Sequence, residues 1–500
     1  GATLSNQYLQ VDTASGPGAG IVGETIQFHG TADRYTLDGA QPIATLYSDA
    51  ATPTSNPAVT VRAIGSNGGH AAAFTYDLAR SVVLTRQGNP AWAGDERDSA
   101  AGGGQLIRSD DQFYGAKPGD VQPDWVNLDK VQIPQADEQQ HLLTNLIEQM
   151  NLDRKPLPRF WFLPRDEKAA VVMTGDDHGN DGTTGQFSGF LAINPGCSVA
   201  DWECVRSTSY IYPSTPITDA EANAFETAGF EIAVHVNTNC ANWTSRPQLE
   251  GFYSSQIADF AANFPSLEAP VSNRTHCIAW SDWATQPKVE LANGIRFDTN
   301  YYYWPPGWVQ DRPGMFTGSG MPQRFADLDG SMIDVYQAAT QMTDESNQSY
   351  PLHADVLLDN AIGPEGYYGV FTTNMHTDSS SHAGANAIIA SALARSVPVV
   401  SARQMLEWLD GRNGSSFEGV EWNGNSLEFD IAPFAGSNGL RAMVPTSSAV
   451  GQLTGVTRNG SPVTTTERTV KGIEYAFIDA AAGSYVATYD VDGTPPAISN

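Results

Sequence analysis

An apolar run, Ala169-Ala170-Val171-Val172-Met173, breaks off into Thr174-Gly175-Asp176-Asp177-His178-Gly179. The run has the length and β-branched character of a buried strand. Two adjacent carboxylates and an imidazole at the end of such a strand are costly to bury unless something compensates them. The same residues also make a good polar turn, so the stretch alone leaves both readings open.

From 165 to 412 strand-like and helix-like patterns alternate. Thr218–Ala228 reads as a helix with an acidic first turn, and Phe230–Val234 as a strand. A helix at Gln256–Phe264 precedes a short strand at Ala269–Ser272. A helix at Lys288–Asn293 precedes a strand at Gly294–Phe297. Met332–Gln337 and Tyr368–Thr373 read as strands, Ala385–Leu393 as a helix, Val397–Val400 as a strand and Arg403–Leu409 as a last helix. Repeated strand–helix order implies parallel strands with crossover helices, so an α/β barrel or a doubly wound sheet. Reactive residues in such folds sit at the carboxyl ends of strands. Those ends here supply Asp176, Asp177, His178, His235, Arg274, His276, Asp298 and His376.

The flanks have different character. Residues 1–160 are punctuated by turns. A hairpin joins Val59–Ile64 to His70–Tyr76 through Gly65-Ser66-Asn67-Gly68-Gly69, and Leu142, Leu143, Leu146, Ile147 and Met150 give an amphipathic helix near 137–150. Arg154–Pro164, with three prolines, reads as a linker, as does Asn413-Gly414-Ser415-Ser416. Residues 413–500 alternate with period two at Leu427, Phe429 and Ile431, at Ile473, Tyr475 and Phe477, and at Tyr485, Ala487 and Tyr489. This predicts an antiparallel β-sandwich.

Twenty-seven basic against 56 acidic residues leave a net charge of −29, a field that repels phosphate backbones and argues against nucleic-acid binding. No stretch reaches the ~18 apolar residues of a membrane span. Four cysteines, none arranged as CxxC, fit two disulfides, Cys197 with Cys204 and Cys240 with Cys277. Such pairing implies an oxidising compartment, so a secreted, periplasmic or cell-surface protein. The oligomeric state is not legible.

Residues 165–412 resemble the NodB-homology polysaccharide deacetylases, carbohydrate esterase family four. That family opens on a strand ending T-F-D-D-G, matched here by Thr174-Gly175-Asp176-Asp177-His178. Its second motif, H-S/T-x-x-H, is matched by His235 but has Asn239 in place of the second histidine. Its third begins with an arginine, here Arg274. Its fourth supplies an aspartate and a tryptophan, to which Asp298 and the run Tyr301-Tyr302-Tyr303-Trp304 correspond. Its fifth ends in a histidine, here His376. The resemblance implies a NodB-like (β/α) barrel that removes N- or O-linked acetyl groups from a polysaccharide or oligosaccharide. It implies Asp176 as base, Arg274 as the group that aims it, and His376 as the acid. It implies a divalent metal, zinc above others, on Asp177, His235 and Asn239. Asp298, Trp304, His276 and His178 are expected around the substrate. The departure at Asn239 leaves three accounts open: the Asn239 amide oxygen ligates, His178 replaces the missing histidine, or the site has lost metal and binds glycan without turnover. A glycoside hydrolase pairing Asp176 or Asp177 with Asp298 is the rival chemistry. The phrase at 70–98 is also similar to the end of a glutamine-amidotransferase-like flavodoxin-type domain. It implies an α/β domain over 1–160, non-catalytic because no cysteine precedes Cys197.

Overall fold

The structure is a computed structural model that describes residues 2–3, 7–65, 68–115, 117–120, 124–152 and 154–490. The chain divides into two compact units. One comprises 79–137 and 168–406; the other comprises 1–78, 138–167 and 407–500.

The first of these has the parallel α/β layering expected from the sequence. Ala169–Val172 pairs in parallel with Gly369–Asn374 on one side and Val399–Val400 on the other. After Met173 the same segment continues as Thr174–Asp177, which pairs with Thr208–Ile211, and that with Glu231–Val234. Ser272–Asn273, Phe297–Asp298 and Met332–Gln337 form a further parallel run, with Gln323–Ala326 antiparallel at its edge. Thr340–Thr343 pairs in parallel with Gly369–Asn374. The strands at 169–172 and 231–234 are buried along their whole length, which is why neither shows the apolar–polar alternation of a half-exposed strand.

Helices separate the strands as the periodicity predicts. Asp219–Thr227 is opened by Thr218 and Glu221 in a reciprocal capping box, the acidic first turn seen in the sequence. Arg246–Asn263 is longer than the predicted 256–264 helix, because Pro247 occupies its first turn and so starts rather than interrupts it. One core joins Val171, Phe187, Phe230, Leu249, Val289, Phe371 and Ile388.

The second unit departs from the expectation. Its N-terminal sheet runs in the order Ile26–Phe28, Gln7–Val11, Gln41–Tyr47, Pro53–Ile64, Gly69–Phe74, and every neighbouring pair is antiparallel. A flavodoxin-type domain needs parallel strands, so the amidotransferase-like α/β domain over 1–160 is not what these residues form. The predicted hairpin is present, with Ser66 and Asn67 of its turn outside the described residues. Leu142 and Leu146 of the helix Gln135–Asn151 are buried, while Leu143 and Ile147 stay exposed.

The C-terminal strands are antiparallel, in a sheet that includes Ser416–Trp422, Ser426–Ala432, Gly483–Tyr489 and Gly451–Arg458, and in a second containing Thr466–Val470, Ile473–Asp479 and Arg441–Pro445. Neither predicted linker is a linker. Arg159–Phe160 is a strand that pairs with Met443 and Ala442, and the helix Ala402–Gly414 runs through Asn413.

Phe371 is fully buried on the 369–374 strand. Truncation to alanine removes its ring from the core, and we expect Phe371→Ala to cost ~3–5 kcal/mol of stability, read as a lower urea midpoint by tryptophan fluorescence.

Candidate active site

Successive side chains on a strand point to opposite faces, and this separates the two aspartates at the end of Thr174–Asp177. Asp176 faces a cleft and is buried at 4% exposure. Its Oδ1 accepts from Arg274 Nη1 at 3.2 Å and its Oδ2 from Asn374 Nδ2 at 2.9 Å. Arg274 is itself fully buried and donates through Nη2 to Thr340 Oγ1 and to the Thr373 carbonyl, at 3.0 and 3.3 Å. Burial pushes the Asp176 carboxyl up, but Arg274, then His235, His376 and His178, outweigh it and hold the group below its ordinary value.

Asp177 points the other way. Its Oδ1 accepts the backbone N–H groups of Gly179, Asn180 and Asp181, and its Oδ2 accepts the Thr183 hydroxyl at 2.7 Å. These donors belong to the turn and first residues of the helix Gly182–Leu191, amides that have no partner within the helix itself. The carboxylate fixes this turn, and Asp177, expected as a ligand, is not among the ligand-type side chains that converge at the cleft.

Three imidazoles converge instead. His178, His235 and His276 each bring one ring nitrogen within 4.8 Å of the others. Ring centroids lie 5.4 Å apart for His178–His235, 5.0 Å for His178–His276 and 5.3 Å for His235–His276. Each ring is held through Nδ1. His235 donates to the Arg274 carbonyl at 2.8 Å. His178 donates to Asp378 Oδ2 at 2.9 Å, and Asp378 Oδ1 also takes the His178 backbone N–H. His276 donates to Asn237 Oδ1 at 3.1 Å, an atom identified as oxygen because it also accepts the Asn239 backbone N–H. Tying off Nδ1–H leaves Nε2 as a lone pair, the state a metal ligand needs. His235 Nε2 is buried and has no hydrogen-bond partner among the described residues. Burial pushes His235 down to about 3, and burial followed by His178 pushes His276 below its ordinary value. At neutral pH both rings are therefore uncharged. The set fits a nitrogen-bound transition metal.

The disulfides expected from the sequence are both formed. Cys240–Cys277 ties the loop after the 231–234 strand to the loop after 272–273, and both sulfurs lie 3.6 Å from His276 Nδ1. The bond thereby fastens together the two loops that carry His235 and His276. Two disulfides also place the folded chain in an oxidising environment.

Asn239 stays out of the cluster. Residues 235–238 are irregular rather than helical, so the i, i+4 spacing puts nothing on a common face. Asn239 is exposed, with φ of 59°. Asp298 is also elsewhere. It is fully buried and accepts from the Asn300 backbone and side chain at 3.1 and 2.6 Å, and burial pushes it up to about 6 against the lowering effect of its hydrogen bonds with Asn300 and Glu290. A carboxylate pair of Asp177 or Asp176 with Asp298 is excluded as a hydrolytic dyad, because Asp177 and Asp298 are both enclosed away from the cleft. Of the aromatic run, Tyr301 and Tyr303 are core residues and Trp304 alone lines the cleft.

His376 stacks on His178 at 5.3 Å. Its Nδ1 lies 2.9 Å from Asp344, which also takes its backbone N–H and a contact from His382 Nε2 at 2.9 Å. Burial pulls the His376 ring down, but Asp344 and then Asp176 raise it to about 9. The cleft that collects these groups has a volume of about 240 Å³ and is lined by Asp176, His178, His235, His276, His376 and Trp304, together with Arg108 and Glu345.

Asp344, Asp378, Arg108 and Glu345 escaped the sequence reading. Asp344 directly follows the strand Thr340–Thr343, so it obeys the strand-end rule. The strand went unseen because three of its four residues are polar. Asp378 lies two residues beyond His376.

No protein-family model matches the chain, and no curated protein matches it in sequence. Solved structures similar to it include the carbohydrate deacetylase Agd3, at 12% identity and TM-score 0.34, covering 99% of this chain and 82% of that one. The polysaccharide deacetylase Bc1974 from Bacillus cereus matches at 12% identity and TM-score 0.26, over 46% of this chain and 91% of that one. The catalytic domain of a peptidoglycan N-acetylglucosamine deacetylase from Eubacterium rectale matches at 12% identity and TM-score 0.25, over 48% and 90%. No residue role is transferred on likeness of this degree.

The His376–Asp344 pair carries a pH dependence with a definite sign. A raised histidine pKa means stability that is complete below the unfolded value of roughly 6.5 and is lost as pH rises through about 9. In the metal-free protein, NMR should find the His376 ring titrating near that value, and Asp344→Asn should move the titration downward.

Proposed function

We propose that this chain is a metal-dependent carbohydrate deacetylase that hydrolyses N- or O-linked acetyl groups, and that its parallel strands form a distorted NodB-like barrel. One observation carries the reading. Three imidazoles with their Nδ1–H groups tied off share a cleft with a buried carboxylate paired to Arg274 and with a fourth imidazole backed by Asp344. Hydrolysis of an acetamide or acetate needs a base for water, polarisation of the carbonyl and an acid for the leaving group, and these residues supply the first and last directly.

The metal ligands of this proposal are His178, His235 and His276. Three neutral nitrogens with a remaining open position favour zinc among the divalent ions. Such an ion, when bound, lowers the pKa of water and polarises the acyl carbonyl. Asp176 accepts the proton of the attacking water, and Arg274 keeps it ionised and aimed. His376, oriented by Asp344, donates a proton to the departing nitrogen or oxygen. Trp304 offers an apolar face on which a sugar ring can stack. The two disulfides support a secreted or cell-surface location. No helix among the described residues is long and apolar enough to cross a membrane.

The deciding experiment is acetate release from a panel of acetylated oligosaccharides, with and without chelator. Zinc-dependent release is expected, and Asp176→Asn should lower turnover by roughly 10²–10⁴-fold. Glycan binding without acetate release in the zinc-loaded protein would overturn the enzyme reading.

The ligand set has its own test. Asp378→Asn should weaken zinc binding by roughly 10–100-fold, the usual effect of removing a partner that orients a ligand histidine. Asn239→Ala should leave zinc affinity unchanged. Asp177→Ala should lower the melting temperature through loss of the 178–183 turn while the folded protein still takes up one zinc, as measured by elemental analysis.

A further inference from the structure

A second group of ligating side chains lies in the segment 96–111, outside the histidine cluster. Glu96, Asp98 and Asp111 each bring a carboxylate oxygen within 4.8 Å of the others. Asp111 is the organiser of the loop. Its Oδ1 accepts the backbone N–H groups of Arg97 and Asp98, and its Oδ2 that of Arg108 at 2.8 Å. Glu96 takes the Ser99 backbone N–H at 2.7 Å.

Asp98 and Asp110 have no comparable partners. Both residues are 0% exposed, and among the described residues their four carboxylate oxygens have no donor other than a neighbouring carboxyl, which could donate only if protonated. The carboxyl of Asp110 faces that of Asp98. The one base nearby is Arg108, whose Nη1 is 4.0 Å from Asp98 Oδ2, too far for a hydrogen bond. The guanidinium of Arg97 is turned to Asp95, to Asp120 and to the carbonyls of Tyr114 and Gly115. Four acids thus meet one distant cation where water does not reach three of them. Buried carboxylates in that position need a positive charge or a shared proton.

Close approach is built into the backbone. A Cβ at Gly103 would sit 1.8 Å from Asp98 Oδ2, so only glycine lets the 102–104 loop close over this carboxylate. Glu96 is only partly buried and leaves a route for a hydrated ion. The donors are oxygens alone, from an irregular loop, which is the ligand type of a hard cation rather than of zinc.

We propose that Glu96, Asp98, Asp110 and Asp111 form a second divalent-cation site, for calcium, that fastens the loop presenting Arg108 to the cleft. Arg108 Nε donates to the carbonyl of Cys277 at 3.0 Å, next to His276, and its guanidinium lies 5.9 Å from the ring centre of Trp304. The calcium site is thereby linked to the floor of the cleft through one side chain. It requires neither the histidine cluster nor the deacetylase reading.

The test is calorimetric titration of the metal-free full chain with calcium chloride, with thermal unfolding in parallel. One calcium per chain is expected, with a dissociation constant of roughly 10⁻⁴ M or tighter. The melting temperature should rise with calcium, as binding to the folded state requires. Asp98→Asn and Asp110→Asn should each weaken binding by about tenfold or more, while His235→Ala should bind calcium as the unaltered chain does. Two outcomes overturn the proposal. One is absence of both heat and thermal shift at about 10 mM calcium, with Asp110→Asn more stable than the unaltered chain. That result means the two carboxyls share a proton. The other is calcium binding that survives both asparagine variants, which locates it on the acidic surface.

Discussion

The ion pair between Asp176 and Arg274 is the interaction on which the rest of the cleft depends. Both side chains are buried, and neither could be left there without the other. The pair also organises its surroundings. The Arg274 carbonyl receives His235 Nδ1–H, so the residue that holds the base ionised also sets the tautomer of a histidine beside it. Its second terminal nitrogen reaches Thr340 and Thr373, joining the ends of two further strands. Tyr210 and Tyr302 lie 5.4 and 5.7 Å from the guanidinium and complete its enclosure. One residue therefore couples the base, a ligand-type histidine and the parallel strands beneath them.

The fold was legible where burial leaves a plain trace in the sequence. Ala169–Val172 and Glu231–Val234 lie in parallel sheets with both faces covered, and their apolar runs read as strands at once. Thr340–Thr343 is just as buried, but the side chains of its threonines and of Gln341, which accepts the Thr372 backbone N–H, hydrogen-bond to neighbouring strands and loops, and a polar strand of this kind has no hydrophobic signature. The N-terminal segment misled for a different reason. A short phrase around the helix Leu78–Gln87 resembled a flavodoxin-type domain, but strand direction is a long-range property that such a phrase does not carry.

The site was legible as a set of strand ends and not as a set of roles. Asp176, Arg274, His235, His178, His276 and His376 are brought to one cleft. Asp177 was assigned from a motif, whereas the period-two alternation of a strand already puts residues 176 and 177 on opposite faces. Asn239 failed for a related reason. A spacing of four has meaning on a helix, and the residues after Val234 are not helical. Asp298 was expected beside the substrate, but the strand Phe297–Asp298 ends inside the polar network of Asn300, Asn273 and Glu290.

The placement of the carboxylates gives the cleft a particular chemical character. Each of the three clustered imidazoles brings a ring nitrogen to the cluster, and the acids Asp378 and Asp344 stand one residue further out, behind His178 and His376. A carboxylate bound directly to a cation cancels part of its charge. A carboxylate behind an imidazole instead orients the ring and makes its free nitrogen more basic. An ion held by neutral donors keeps more of its charge for water and for a carbonyl oxygen, which strengthens it as a Lewis acid. In the proposed site, a histidine standing where an aspartate ligand was expected would be compatible with hydrolysis, provided that a base remains close by and ionised. Asp176 meets that condition because Arg274 holds it below its ordinary range. The departure at Asn239 left three accounts open on the sequence alone; in the structure His178 and His276 bring ring nitrogens beside His235 from two other loops.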